Sequence, residues 1–420
     1  MDNQYYENLI KQCLNCKNPT CVLGCPVNNN IPKFIQLAKE NKFQEAYDTI
    51  KLTSTLPSIC SLVCPSEKQC MGHCVKNKIS NPVKINEIEQ YITLNAKECS
   101  MEIKTNGHKV AIIGSGPAGL ACAEKLTLLG YSVDIYDKYD IPGGILTYGI
   151  PDFVLNKKIV NDKINYLKSL NINFIMNKAL NKDIFLEDLS NQYDAIFLAF
   201  GTSVEKKMNI ENESLKGIMG ANEFLNKAYK NEALDVDINP SSKIIVVGGG
   251  NTAIDAARVA KRKYNCNVTI VYRRSQLEMP CRSVEYTNAI NDNISFNFLT
   301  NPVKFIGNEV LKQIEVVKME LVKVDNDRAR PVVIENSNYK IDSDLVILAL
   351  STDIDKSLTN NLKTNKWGLI EVNENMQTSL ENIFAGGDCV RGPSLVVSAM
   401  KDGINAAINI DKYIKKNSSN

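Results

Sequence analysis

Apolar positions follow one period up to about residue 107 and another period beyond it. Between residues 31 and 51, apolar side chains recur three or four positions apart with a break near Asn41, which predicts a helical hairpin. The stretch INEIEQYITLNAKE predicts a further helix, and the polar stretch SMEIKTNGH predicts a linker. We therefore expect an α-helical first domain over residues 1–107.

Beyond residue 107, short β-rich runs alternate with glycine turns and helices. KVAIIGSGPAGLACAEKLTLLG predicts strand, turn and helix, and KIIVVGGGNTAIDAARVAKRK repeats that plan. IFAGGDCVRGPSLVVSAMKDGINAAINIDKYI closes the chain in the same order. The predicted fold class is α/β, with two Rossmann-like domains after the helical one. We expect the first over residues 108–205 and 342–420, and the second, inserted into it, over residues 206–341.

Composition and charge exclude two classes of partner. The chain has 420 residues, of which 44% are apolar and 23% are charged, as in ordinary globular proteins. Its 49 basic and 47 acidic residues leave a net charge of +2, so no large basic field exists to attract nucleic acid or anionic lipid. No run of about 18 apolar residues and no export segment occur. We expect a cytoplasmic protein without a nucleic-acid or membrane partner.

Cysteines are concentrated near the N-terminus. Eight of the 13 precede residue 75, namely Cys13, Cys16, Cys21, Cys25, Cys60, Cys64, Cys70 and Cys74. In a reducing compartment, clustered cysteines are more often metal ligands or redox groups than disulfides. The spacing Cys-x2-Cys-x4-Cys-x3-Cys-Pro suits a [4Fe–4S] cluster, and the last cysteine of such a run commonly serves a second cluster. Zinc is the second interpretation and disulfides are the third.

The first glycine motif, GSGPAG at residues 114–119, directly follows an apolar strand. Gly114 permits the tight turn, Gly116 lets the backbone approach a pyrophosphate, and Gly119 lets helix and strand pack closely. The free N–H groups at the helix start favour phosphate. Asp137 ends the next strand, where a carboxylate accepts hydrogen bonds from ribose hydroxyls. The pattern predicts a dinucleotide site.

The second glycine motif, GGGNTA at residues 248–253, is followed by a strand that ends differently. VTIVYRRS supplies Arg273 and Arg274 in place of an acid. Guanidinium groups bind a 2′-phosphate through charge-assisted contacts, whereas an acid would repel it. We therefore predict that this site prefers NADP(H).

Two different dinucleotide sites in one chain favour a flavin–nicotinamide pair, because reduced nicotinamide passes hydride to a flavin in an adjoining fold. Near the C-terminus, Asp388 follows two glycines and precedes the last helix. A carboxylate there suits the flavin's ribityl hydroxyls, and the helix N-terminus suits an anionic reduced ring. This chemistry needs positioned cofactors, and we predict no side-chain acid–base triad.

Eight motifs in order carry a resemblance to a known family. They are CLNCKNPTCVLGCP, CSLVCPSEKQCMGHC, GSGPAGLACAEKL, PGGILTYGIPDFVLNK, VVGGGNTAIDAARVAKR, VYRRS, EMPCRSVE and FAGGDCVRGPSLVVSAMKDG. The whole chain resembles the small (beta) subunit of NADPH-dependent glutamate synthase, and also the N-terminal, electron-input half of dihydropyrimidine dehydrogenase. The resemblance implies two [4Fe–4S] clusters, FAD and NADPH.

Carried over by position, the resemblance implies the residues that hold each group. The flavin set is Gly114, Ser115, Gly116, Pro117, Ala118, Gly119, Asp137, Lys138, Gly144, Gly201, Gly387, Asp388 and Val396. The NADPH set is Gly248, Gly250, Asn251, Thr252, Arg273 and Arg274. One cluster takes Cys13, Cys16, Cys21 and Cys74, and the other takes Cys25, Cys64, Cys70 and Glu89.

The eighth cluster ligand is open at this point. A count of cysteines alone would choose Cys60, whereas the resemblance implies an oxygen ligand at the helix position of Glu89. We favour Glu89 because its spacing after Cys74 and the nearby aromatic Tyr91 match the family. Cys60 is then not a ligand.

The predicted function is electron input from NADPH through FAD and the clusters to a partner. No residues remain for a glutaminase, an FMN barrel or a pyrimidine site, so we expect a larger catalytic subunit, such as a glutamate synthase large chain, or ferredoxin as the partner. The alternatives are the input subunit of a dihydropyrimidine dehydrogenase or of a ferredoxin:NADP oxidoreductase complex, and a non-catalytic, cluster-bearing assembly protein.

Overall fold

In the computed structural model, residues 3–99, 102–324 and 328–418 are described, and the chain divides into two compact units. The first unit comprises the residues up to Thr147, Asp152–Ser203 and the residues from Ile354 onwards. The second unit comprises Tyr148–Pro151 and Val204–Asp353. Within the described residues, no helix is both long enough and apolar enough to cross a membrane.

The first unit begins with a helical part that contains the predicted hairpin. Its α-helices are α1 (Asn3–Lys11), α2 (Thr20–Leu23), α3 (Ile31–Lys39), α4 (Phe43–Lys51), α5 (Pro57–Val63) and α6 (Ile85–Leu94). The hairpin turns at Asn41, whose φ of +58° lies in the left-handed region that asparagine tolerates. Phe34, Ile50 and Ile88 are fully buried in one core, so the apolar positions of α3, α4 and α6 meet as their spacing requires.

The chain then enters the first α/β sheet. Its elements in order are β1 (Lys109–Ile113), α7 (Pro117–Leu128), β2 (Ser132–Tyr136), α8 (Ile145–Tyr148), α9 (Lys157–Ser169), β3 (Asn173–Ile175), α10 (Leu186–Ser190) and β4 (Ala195–Leu198). β1 pairs in parallel with both β2 and β4. Four of the five residues of β1 are buried, as expected for a strand covered on both faces.

The second unit repeats this arrangement and adds an antiparallel sheet. Its elements are β5 (Val204–Glu205), β6 (Ile218–Gly220), α11 (Ala221–Lys230), β7 (Lys243–Val247), α12 (Asn251–Tyr264), β8 (Asn267–Tyr272), α13 (Ser283–Asn291), β9 (Ser295–Phe298), β10 (Thr300–Gly307), β11 (Leu311–Val322), β12 (Arg330–Val333), β13 (Tyr339–Asp342), β14 (Leu345–Leu348) and β15 (Thr352–Asp353). The parallel sheet has the order β6-β14-β7-β8-β9, and β11 pairs antiparallel with β10, β12 and β13.

The second unit extends further than the proposed insertion of residues 206–341. β14 lies in its parallel sheet between β6 and β7, with Leu345 opposite Ile244, so the unit ends after Asp353. The apolar run of β14 matches a buried strand of either Rossmann-like domain, and only its pairing assigns it to one of them.

The last segment returns to the first unit with β16 (Ile383–Ala385), α14 (Asp388–Arg391) and α15 (Val396–Ser418). The completed sheet has the order β16-β4-β1-β2-β3, and every pairing in it is parallel. α15 packs against α7 at Gly403, where a Cβ atom would lie 2.1 Å from the Ala118 carbonyl oxygen. Only a glycine permits this close crossing, which brings α15 against the helix that follows the first glycine motif.

The helical part and the first Rossmann-like fold are joined within the first unit. α5 packs against α9 and α15, and the Ser54 hydroxyl donates a hydrogen bond to the Met400 sulfur at 3.5 Å. Ser54 is 1% exposed and Met400 is fully buried. The two parts therefore share a packed interface, and the helical part is not a tethered module.

Candidate functional site

The first glycine motif forms the turn between β1 and α7. Gly114 has φ +108°, and a Cβ atom there would lie 2.4 Å from the Ala199 carbonyl oxygen, so a side chain is excluded on both counts. At Gly116, by contrast, a Cβ atom would meet nothing within 4 Å. Open space therefore lies beside the first turn of α7, and the first N–H groups of a helix have no partner within the helix. This geometry suits a pyrophosphate.

Asp137 follows β2 and lies beside this turn. Its Oδ2 atom accepts hydrogen bonds from the Ser115 backbone N–H at 2.7 Å and from the Ser115 hydroxyl at 2.6 Å. Its Oδ1 atom accepts one from the Tyr139 N–H at 3.0 Å. A carboxylate offers about four acceptor positions, so one position remains for a ribose hydroxyl. The sequence pattern did not predict that Asp137 also holds the glycine turn through Ser115.

Two further members of the predicted flavin set, Gly144 and Gly387, lie against the same turn. A Cβ atom on Gly144 would lie 3.1 Å from the Cα of Gly116, and one on Gly387 would lie 3.1 Å from the Cβ of Ala118. Pro117 and Gly119 occupy the first turn of α7, and Val396 begins α15. The Lys138 ammonium donates a hydrogen bond to Ser203 at 3.2 Å, and Gly201 has φ +69°.

The turn before α14 is held by a residue that the sequence pattern did not reveal. Asp402, fully buried in α15, accepts a hydrogen bond from the Gly387 N–H at 3.0 Å. The same carboxylate forms two hydrogen bonds of 2.5 Å with the Arg391 guanidinium. Burial raises the pKa of the neighbouring Asp388 carboxyl to about 6. The available signal was a charged residue inside the apolar face of the last helix.

In the second unit, the second glycine motif forms the turn between β7 and α12. Gly248 has φ +149°, and a Cβ atom there would lie 2.5 Å from the Ala349 carbonyl oxygen. Near Gly250 the space is open, since a Cβ atom there would meet only Pro280, at 3.9 Å. Asn251 accepts a hydrogen bond from the Arg282 N–H at 2.9 Å, and Thr252 is exposed.

The two predicted arginines follow β8. Arg273 is exposed, whereas the Arg274 Nε donates a hydrogen bond to the Ala329 carbonyl at 2.8 Å. A third guanidinium lies at the same strand end, because Arg328 donates to the Tyr272 hydroxyl at 2.8 Å. Arg328 is distant in the sequence, so its position was not predictable from the strand-end pattern. This strand end is cationic, as recognition of a 2′-phosphate requires.

The first set of predicted cluster ligands converges in the helical part. Cys13, Cys16, Cys21 and Cys74 line one cavity, together with apolar side chains from α3 and the segment before α6. Burial, together with the nearby thiols of Cys74 and Cys13, raises the pKa of the Cys21 thiol to about 11. Four soft donors facing one cavity match the chemistry of a [4Fe–4S] cluster.

The second set also converges. Burial raises the pKa of the Cys70 thiol, and the groups that raise it further are Glu89, Cys25 and Cys64. Burial raises the pKa of the Glu89 carboxyl to about 8, and its Oε1 atom is buried without a hydrogen-bond partner in the described chain. An unpartnered buried carboxylate oxygen beside three thiols fits a cluster ligand, since buried polar atoms are otherwise paired.

Cys60 belongs to neither set. It lies in α5 at 5% exposure, one helical turn before Cys64. Across the described ranges, no three His, Cys, Asp or Glu side chains are placed to hold a single metal ion.

His73 supports the loop of the first set. Its Nδ1 atom lies 2.7 Å from the Gln69 carbonyl oxygen, and its ring lies against Gly24, where a Cβ atom would come within 2.6 Å. Its backbone carbonyl accepts a hydrogen bond from the Thr20 hydroxyl. His73 thereby ties the loop around Cys74 to α2.

Comparison with known proteins separates the N-terminal helical part from the residues that follow it. Residues 108–403 match the pyridine nucleotide-disulphide oxidoreductase family, and residues 3–101 match the 4Fe–4S cluster domain II of dihydropyrimidine dehydrogenase. Among solved structures, the FprA protein of Mycobacterium tuberculosis has a similar fold, with a TM-score of 0.64 at 20% identity over 74% of this chain and 86% of that one. The predicted fold class is confirmed.

Relatives match over nearly the whole chain. The glutamate synthase [NADPH] small chain of Escherichia coli is 35% identical over 96% of this chain and 90% of its own length. The NADPH-Fe(3+) oxidoreductase subunit beta of Geobacter sulfurreducens is 33% identical over 94% of this chain and 64% of its own length. The predicted resemblance is confirmed. The chain is therefore an oxidoreductase of the glutamate synthase small-chain family, with a 4Fe–4S domain ahead of an FAD- and NADP-binding domain.

Proposed function

We propose that this chain is an electron-input subunit that takes two electrons from NADPH and delivers them singly, through two [4Fe–4S] clusters, to a partner protein. The observation that carries the proposal is the convergence of two separate four-ligand sets in the helical part, which packs directly on the flavin fold. When bound, FAD accepts hydride from NADPH and supplies single electrons to iron–sulfur centres.

The residues of the chain position these groups. The open space at Gly116 and the first turn of α7 bind the FAD pyrophosphate, and Asp137 orients the ribose. Gly248 and Gly250 form the corresponding turn for NADPH. Arg273 and Arg274 select the 2′-phosphate.

The cluster ligands form two neighbouring sites. Cys21 and Cys25 are four residues apart, on α2 and directly after its C-cap Gly24, and they belong to different sets. Glu89 is fixed by α6, whose Ile85, Ile88 and Ile92 are buried in the helical core. Neighbouring cluster sites allow electrons to leave the flavin fold one at a time.

The partner is a larger subunit of the glutamate synthase type, which matches the relative that is 35% identical. The similarity to an NADPH-Fe(3+) oxidoreductase subunit supports a second candidate, an input subunit for a different acceptor. The two candidates share the same internal electron path and differ only in what receives the electrons. Cytoplasmic location is part of the proposal, because the clusters and free thiols need a reducing compartment.

The test is anaerobic purification of the chain followed by counts of iron, sulfide and FAD. About eight irons and eight sulfides per FAD are expected. Addition of NADPH should bleach the flavin absorbance and then produce the electron paramagnetic resonance signal of reduced clusters. A zinc-containing or metal-free preparation, or clusters that dithionite reduces but NADPH does not, would contradict the proposal. Identification of co-purifying chains from the native cell assigns the partner.

A further inference from the structure

The loops that carry the first cysteine set also carry a one-sided distribution of charge. Residues 8–39 contain four lysines and no Asp or Glu, and residues 68–86 contain another four lysines and again no acid. The chain as a whole is nearly neutral, with a net charge of +2. The positive charge of these two segments is therefore a local feature and not a reflection of overall composition.

These two segments lie side by side. Thr20 in the first segment donates a hydrogen bond to the carbonyl of His73 in the second, and the His73 ring contacts Gly24. The cavity of the first cysteine set is lined from both segments, by Leu14 and Thr20 on one side and by Val75 and Lys76 on the other. Both segments therefore contribute to the wall of one cavity.

The rim of this cavity exposes large apolar side chains. Leu14 and Val75 line the cavity and are 59% and 38% exposed. Leu23 and Ile79 lie elsewhere on the same two segments and are each 79% exposed. Lys17 and Lys78 are exposed on the same two segments, and Lys76 lies at the cavity wall. Within the described residues, no carboxylate lies at ion-pair distance from Lys17, Lys76 or Lys78, so their charge is not neutralised locally.

We propose that this basic and apolar rim is the docking surface for the electron acceptor, and that the acceptor is a protein with an acidic face around an apolar centre. The inference rests on the proposed function, since it assumes that electrons leave through the centre held by Cys13, Cys16, Cys21 and Cys74. Unneutralised lysines raise the association rate of a negatively charged partner, and the exposed apolar side chains supply contact area. In each turnover, one NADPH reduces two oxidised one-electron acceptors. The products are NADP⁺, one proton and two reduced acceptors.

Two soluble proteins of similar size serve as probes. Plant-type [2Fe–2S] ferredoxin has an acidic surface, and cytochrome c has a basic one. Binding of each to the oxidised holoenzyme is measured by titration calorimetry from about 20 mM to about 500 mM salt. NADPH-driven reduction of each is measured over the same range. We expect ferredoxin to bind at low salt, with kcat/KM falling roughly tenfold or more as salt rises, and cytochrome c to lack this dependence.

The variant that carries the test combines Lys17→Glu, Lys76→Glu and Lys78→Glu. Its affinity and kcat/KM for ferredoxin at low salt should fall roughly tenfold or more, while those for cytochrome c should rise. The control combines Lys182→Glu, Lys312→Glu and Lys416→Glu, which changes the net charge equally at exposed lysines outside the two loops. The control should bind ferredoxin as the wild type does. If charge reversal lowers the iron content, the three Lys→Gln changes give the same test with a smaller effect.

A second variant separates the apolar part from the charge. Leu23→Ser with Ile79→Ser should weaken ferredoxin binding while leaving the slope of affinity against salt unchanged. The reason is that charge determines the salt-dependent part of the binding free energy, whereas apolar contact area contributes a part that does not depend on charge. Unchanged ferredoxin binding in the lysine variant, or equal losses in the lysine variant and its control, would overturn the docking surface. Preference for a DNA oligonucleotide over ferredoxin at about 150 mM salt would overturn it too. Binding is measured without turnover. Failure of NADPH to reduce the clusters would therefore contradict the proposed function but not the docking surface.

Discussion

Lys163 Nζ lies 2.7 Å from Glu124 Oε2, and the two side chains are 7% and 0% exposed. Lys51 forms an ion pair with the same carboxylate, and Glu98 pairs with Lys51 at 2.8 Å and with Lys163 at 2.6 Å. Glu124 belongs to α7 and Lys163 to α9, whereas Lys51 belongs to α4. These four residues, which we call the buried ion ring, join the helical part to the flavin fold with balanced charge.

Removal of one member of the buried ion ring should lower the free energy of unfolding. Glu124→Gln leaves two buried lysines with one carboxylate, and we expect a loss of about 3–5 kcal/mol in the free energy of unfolding. Chemical denaturation monitored by circular dichroism measures it. Glu124→Leu combined with Lys163→Met removes one charge of each sign, so this double variant should be more stable than the single one.

The control for this prediction is another pair on α9. Lys158 and Asp162 form an ion pair of 2.7 Å, but their side chains are 79% and 59% exposed. Asp162→Asn should leave stability nearly unchanged, since exposed pairs contribute little. Equal effects at Asp162 and Glu124 would contradict the importance that we assign to burial.

The buried ion ring also predicts a dependence of stability on pH. Burial alone would raise the pKa of Glu98, but the ammonium groups of Lys163 and Lys51 outweigh it and hold that pKa below the ordinary glutamate value of about 4.3. A carboxyl whose pKa is lowered by folding stabilises the protein above its unfolded-state pKa and loses this contribution as pH falls through the folded-state pKa. We expect Glu98→Gln to flatten the fall in Tm below about pH 4.5. Parallel Tm curves for the two proteins would exclude this role.

Local patterns predicted the strand–turn–helix elements of the two Rossmann-like folds, because glycine turns and strand-end residues lie within a few positions of each other. Gly114, Asp137 and Gly248 lie where the sequence placed them, at the ends of buried parallel strands. Long-range partners were not predictable. Asp402 reaches Gly387 only because α15 folds back on α7, and the buried ion ring draws on residues up to 112 positions apart, from Lys51 to Lys163. The local sequence shows at most a charged residue within an apolar helix face, as at Asp402, and does not indicate its partner.

Asp402 should act as a positioning residue for the flavin. Asp402→Asn keeps an oxygen acceptor for the Gly387 N–H but removes the charge that pairs with Arg391. A hydrogen bond to a charged group contributes about 1.5–3 kcal/mol, so we expect FAD to be retained roughly tenfold more weakly. The fluorescence of FAD that is released on dilution measures the affinity of the protein for FAD. Lys412→Ala, an exposed change on the same helix, is the control, and equal FAD loss in both would contradict the prediction.

Arg273 should contribute to the choice of nicotinamide cofactor. Arg273→Ala removes an exposed cation at the end of β8, and loss of a contact to the 2′-phosphate should weaken NADPH by about ten- to a hundredfold. NADH lacks that phosphate and should bind nearly as before. Titration of flavin absorbance with each nucleotide gives the two affinities. Arg274→Ala tests the second cation, with the added loss of its bond to the Ala329 carbonyl.

Lys340→Ala, an exposed change on β13, serves as the control for the arginine variants. It should alter neither affinity. Equal weakening of NADPH and NADH by Arg273→Ala would refute a role in 2′-phosphate recognition and would indicate a general effect on the nucleotide-binding fold.

The final prediction concerns which residue completes the second cluster. Glu89→Ala removes a buried carboxylate with one unpartnered oxygen beside Cys25, Cys64 and Cys70, and should lower the iron content or alter the electron paramagnetic resonance signal of one cluster only. Cys60→Ala changes a buried thiol in α5 that belongs to neither set, and should leave iron content and signal unchanged. Glu89→Gln retains an oxygen donor and should restore part of the signal. If Cys60→Ala loses iron while Glu89→Ala does not, the ligand is a thiolate and α5 must turn Cys60 toward the second set.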